Sequence, residues 1–70
     1  MPDDSANTED AVYVDGALSR KVKLMIAIAI DAAYGAANGV KSLAQSATKA
    51  GATKEEITEA LRVAIHLEGP

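Results

Sequence analysis

The chain reads as an all-α protein of about three short helices that depends on association with further copies of itself. Three observations predict this. From Ala17 onward apolar residues recur at helical spacing, and nothing alternates with period two for long enough to make a core strand. Glycines at 35, 39 and 51 and a Thr53–Glu56 capping pattern punctuate the sequence as helix ends and starts. The available core is thin, with Tyr13 and Tyr34 as the only aromatic residues among 70 and no Phe, Trp or Cys. Domains below ~70–80 residues rarely draw more than ~3–5 kcal/mol from a single core. Here there is no disulfide to add to it and no cluster of His and acids for a structural metal. An obligate oligomer is therefore expected.

Residues 1–16 carry Pro2, Asp3, Asp4, Ser5, Asn7, Glu9, Asp10, Asp15 and Gly16, broken only by Ala11, Val12, Tyr13 and Val14. This is the pattern of an acidic, flexible arm ahead of a helical domain at 17–70. The apolar patch within it is suited to docking on the domain or to pairing as a short strand with a neighbour.

The first helix has Ser19 as its N-cap and an apolar stripe of Val22, Met25, Ile26, Ala29, Ile30 and Ala33. Leu24 and Ile28 add a second stripe, so the helix is apolar almost all round and should be buried against more than one neighbour. Its expected length is roughly 17 residues, about 25 Å, ending or kinking at Gly35. A second helix is expected from about Ala36 or Gly39 to Ala50, with Val40, Leu43, Ala44 and Ala47 on one face and Gly51 as a left-handed C′ residue. Gly35 and Gly39 are explained either as a helix boundary or as a small-residue packing motif. The third helix starts at the Thr53–Glu56 capping box, has Glu55, Glu56 and Glu59 near its positive end, and turns Ile57, Ala60, Leu61, Ala64 and Ile65 inward. It ends near Leu67.

Several function classes drop out on composition. Without cysteine there is no thiol catalysis, and a net charge of −3 argues against nucleic acid as a partner. The apolar run from Leu24 to Ile30 stops at Asp31, far short of the ~20 residues that span a bilayer. No secretory leader is expected, because the N-terminus is acidic where a basic region is needed. A cytoplasmic protein without metal or cofactor is the resulting expectation.

The residues carry a family resemblance. Leu18-Ser19-Arg20-Lys21-Val22-Lys23-Leu24-Met25-Ile26-Ala27-Ile28-Ala29 resembles the first helix of the carboxymuconolactone decarboxylase/AhpD-like superfamily. The junction Ala50-Gly51-Ala52-Thr53-Lys54-Glu55-Glu56-Ile57-Thr58-Glu59-Ala60-Leu61 resembles it more specifically, and the similarity runs from about Gly16 to Pro70. The resemblance implies an AhpD-like all-helical fold whose subunits assemble as trimers or hexamers. At 70 residues the chain is short for that family, as a minimal version or a fragment of a longer polypeptide would be.

In the alkylhydroperoxidase branch a Cys-x-x-Cys follows the glycine matching Gly35, with a His four residues beyond and a Glu upstream. One thiolate attacks, the other resolves, and the His and Glu relay protons. Matched residue by residue, the cysteines fall on Ala36 and Gly39, the histidine on Leu43 and the glutamate on Leu24. None of these can titrate, so thiol peroxidase chemistry is not available. The lactone decarboxylase branch lacks the cysteine pair and instead needs a group to protonate or polarise a substrate and a base to hold its carboxylates.

Candidates for such roles each have a structural explanation beside the catalytic one. His66 lies near the end of the third helix, where a cation complements the dipole. Asp31 lies on nearly the same face as Leu24 and either faces a pocket or makes a hydrogen bond or ion pair near a helix end. Tyr34 lines the same pocket or covers an interface. Lys41 is oddly placed, since a cation in a first helical turn opposes the dipole, and that placement points to anion binding. Arg20, Lys21 and Lys23 read as a solvated helix start, suited to pairing with the acidic arm. Two functions follow: a small oligomeric binding or scaffold protein without thiol chemistry, or a decarboxylase-like enzyme taking a small anionic metabolite in a pocket between subunits.

Overall fold

The structure, a computed structural model, describes residues 11–68. Among these residues the chain forms a helical turn at 11–13 and three α-helices, α1 (Arg20–Ala33), α2 (Ala37–Lys49) and α3 (Lys54–Glu68), and no strand. α1 is the central element, and α2 and α3 each pack against it.

Two oxygens fix the start of α1. Ser19 is extended (φ −71°, ψ 159°), and its Oγ accepts a hydrogen bond from the Val22 N–H at 3.2 Å. The Asp15 carboxylate accepts from the Arg20 N–H at 2.6 Å, which satisfies a second of the donors that a helix start leaves free. α1 spans 14 residues, shorter than the periodicity suggests. The apolar pattern reaches Ala33, and the chain must turn there because Gly35 adopts a left-handed φ of +77°.

The same device ends both α1 and α2. After α1, the Gly35 N–H donates to the Ala32 carbonyl at 3.1 Å and the Ala36 N–H to the Asp31 carbonyl at 2.8 Å. After α2, the Gly51 N–H donates to Thr48 at 3.0 Å and the Ala52 N–H to Ala47 at 2.9 Å, with Gly51 at φ +104°. Each pair is a Schellman motif, which needs a residue that tolerates positive φ and so favours glycine. α3 then begins at the expected capping box. The Glu56 N–H donates to Thr53 Oγ1 at 3.0 Å, and the Thr53 N–H donates to Glu56 Oε1 at 2.9 Å.

The core consists of Leu24, Ile28, Ala47 and Ala52, 0–5% exposed, flanked by Val40, Leu43, Ala44, Ile57, Leu61 and Tyr13. The all-round burial expected of α1 is not reached within one chain. Leu24 and Ile28 form the buried seam, while Ile26 and Ile30 are 47% and 50% exposed. Both stripes are apolar, so periodicity cannot choose between them; the placement of α2 and α3 does. A second correction concerns α3, where Ala64 is buried but Ile65 is 63% exposed. Residue 65 lies about 100° round the helix from residue 64, beyond the reach of α1.

The expected acidic arm falls in part on residues 1–10, which lie outside the described residues. Residues 11–16 lie along α1. The Lys23 Nζ donates to the Val14 carbonyl at 2.8 Å, the Arg20 guanidinium donates to the Tyr13 carbonyl at 3.4 Å, and Tyr13 packs against the core. The basic residues at the start of α1 are thus not simply solvated. Arg20 and Lys23 hold this segment, and Lys21 pairs with Glu56 of α3 at 3.2 Å.

Candidate functional site

The residues that match the degenerate family positions separate into three environments. Leu24 is core. Ala36 is the exposed residue preceding α2, where it provides no side-chain cap. Gly39 and Leu43, one turn apart on α2, line a groove of about 430 Å³ together with Tyr13, Ala27, Ile30, Asp31 and Ser42. Helical spacing on α1 brings Ala27 and Asp31 to one face, and the Gly35 turn folds α2 back beside them.

Asp31 is the charged member of this groove. Its carboxylate lies over the first turn of α2 at Gly39, and a β-carbon at position 39 would collide with it. Gly39 is therefore a cradle for the carboxylate. That explains this glycine without a tight turn or a packing motif between helices. The negative group also complements the positive end of a helix whose capping residue is alanine. Among the described residues, no hydrogen bond or ion pair reaches the Asp31 side chain.

The other candidates lie elsewhere. Tyr34 caps the end of α1 and is 82% exposed. His66 is exposed in the last turn of α3. Lys41 is exposed on α2, and because that helix begins at Ala37 the lysine lies beyond the first turn. The unfavourable dipole contact that pointed to anion binding is therefore not formed. Of Asp31, Tyr34, Lys41 and His66, only Asp31 lines the groove, and one chain does not bring the four together. No group of three or more metal-ligating side chains occurs among the described residues.

Sequence reasoning does not find Tyr13 and Ser42 as partners of Asp31. Tyr13 approaches from a segment separated from α1 by a loop, and Gly39 meets Asp31 only through the intervening Schellman turn. The one available signal is Tyr13 itself, an aromatic residue in an otherwise polar stretch. Away from the groove, the Glu56 carboxyl is held below its ordinary range, first by the backbone N–H of Thr53 and then by the Lys21 ammonium.

A cysteine-free helical unit built on one central helix, with Schellman glycines at 35 and 51 and a capping box between its last two helices, belongs to a recognisable class. The chain is a member of the carboxymuconolactone decarboxylase family, whose model matches residues 5–69. The match begins upstream of Gly16, where the resemblance read from the residues starts, and so takes in the segment that carries Tyr13. No curated protein and no solved structure matches the chain. No helix among the described residues is long and apolar enough to cross a membrane.

Proposed function

We propose that this chain is a self-associating helical module of the family that works by binding, without thiol chemistry. One observation carries the reading. Between α1 and α3 an apolar groove of about 270 Å³ is lined by Ala29, Ile30, Ala33, Val63, Ala64 and Leu67 together with Glu68. Ile30, Val63 and Leu67 are 50%, 57% and 77% exposed in the isolated chain. Full burial of such a side chain contributes ~1.5–3 kcal/mol, a large increment where five hydrophobic residues are buried among the described residues. A second copy of the chain is the occupant of this face, in a trimer or hexamer, and the Asp31 groove is the binding site that the assembly carries in the cytoplasm.

The absence of thiol chemistry rests on composition, since the sequence has no cysteine. The decarboxylase-like alternative needs an acid and a base on one substrate. Asp31 lines the groove, whereas Lys41 and His66 are exposed outside its lining, so that reading draws on a neighbouring copy to bring them together.

Sedimentation equilibrium of the full chain tests the proposal. A mass of three or six protomers at micromolar concentration is expected. A stably folded monomer overturns it.

A further inference from the structure

The Asp31 groove has a charge and shape that select one class of ligand. We propose that it binds small organic cations, a primary ammonium on a short apolar tail, and not anions. The inference rests on the reading of this groove as a binding site and adds the ligand's chemistry.

Three observations point the same way. The groove lining holds one carboxylate and no cationic side chain, with the hydroxyls of Tyr13 and Ser42 as its other side-chain polar groups. Lys23 belongs to the same wall. It lines the adjoining groove on the other side of Tyr13, Ala27 and Ile30, and its Nζ is already hydrogen-bonded to the Val14 carbonyl at 2.8 Å. An incoming carboxylate would thus meet Asp31 with no cationic side chain among the residues that line the groove. The start of α2, which would otherwise attract an anion, already has the Asp31 carboxylate over it.

The carboxylate also has free capacity. It makes no hydrogen bond or ion pair with any described residue, and Gly39 leaves it the room that a β-carbon would take. An ammonium group placed against it makes a charge-assisted hydrogen bond, the stronger kind. Ser42 and Tyr13, which line the same groove, bring a hydroxyl that accepts hydrogen bonds and an aromatic ring of the kind that attracts cations. Ala27, Ile30 and Leu43 give the alkyl tail an apolar wall. The groove is open, so affinity in the millimolar range is expected for a four-carbon probe, with charge deciding the choice of ligand.

Titration of the full chain with butylammonium, butyrate and butanol, read from backbone amide NMR shifts, tests this directly. Butylammonium should shift the Gly39 and Ser42 amides saturably and bind at least tenfold more tightly than butyrate or butanol. Asp31→Asn, which keeps the shape and removes the charge, should weaken butylammonium at least tenfold. Equal or tighter binding of butyrate overturns the proposal, as does butylammonium binding that Asp31→Asn leaves unchanged. Should that variant fail to fold, the three-ligand comparison on the unaltered chain decides alone. Sedimentation separates the two proposals: an oligomer that prefers butyrate sinks only the ligand class, and a monomer that prefers butylammonium sinks only the assembly.

Discussion

The two faces of α1 are finished to different degrees. Towards α2, Leu24 and Ile28 meet Ala47 and Ala52, and Val40, Leu43, Ala44 and Tyr13 close around them. Towards the distal half of α3, Ala64 is buried, but Val63 and Leu67 stay largely exposed beside Ile30. The first face is complete within one chain; the second presents an apolar groove with nothing among the described residues to fill it. A domain with so few large side chains can build one tight seam, and the seam goes where alanines let two helices approach. What remains apolar is the face proposed for association. Ile30 lines both this groove and the one that holds Asp31, so the proposed assembly face and the proposed binding groove adjoin on the surface.

Substitutions that distinguish the faces sharpen the contrast. The largest effect is expected from Leu24→Ala. It removes a side chain that is 2% exposed and should cost ~2–5 kcal/mol, enough to unfold much of the population in a denaturant titration. The matching change on the other face, Val63→Ser with Leu67→Ser, removes the contact on which the chain is expected to depend and should cost helical circular dichroism together with assembly. It should shift the sedimenting mass to that of one protomer. If the double variant still sediments as the parent does, the α1/α3 groove is not the contact.

Smaller effects probe the junctions that hold the faces in place. Gly51→Ala forces a β-carbon into φ +104° and should destabilise the chain by ~1–2 kcal/mol, read as a lower thermal midpoint. Thr53→Ala removes the oxygen that accepts from the Glu56 N–H and should cost ~1 kcal/mol. The Lys21–Glu56 pair is exposed enough that Lys21→Met should change stability by less than ~1 kcal/mol.

Acid tests the same junction through Glu56. Its carboxyl is lowered in the folded chain, so the stabilisation is present above the unfolded value of about 4.3 and is lost as pH falls through the lower folded value. The parent should therefore lose stability on acidification more steeply than Glu56→Gln. Parallel pH profiles for the two would remove Glu56 from the explanation.

Much of this was legible because it depends on neighbours in sequence. The Ser19 cap, the Thr53–Glu56 box and the left-handed Gly51 are local devices of a few residues, and each forms as its residue types require. Family membership followed from the same punctuation.

The tertiary structure decided what depends on residues far apart. Leu24 and Ile28 became the seam, and Ile26 and Ile30 the outer stripe, because two equivalent apolar patterns on one helix are ranked only by what packs against them. Gly39 is small because a carboxylate from α1 lies over it, and Lys41 lies beyond the first turn because α2 begins at Ala37. Asp31, Tyr13 and Ser42 share a groove only because the Gly35 turn and the docked 11–16 segment bring them there. Sequence periodicity fixes which faces of a helix are apolar; only the packing of the other helices fixes which face is buried and which stays exposed.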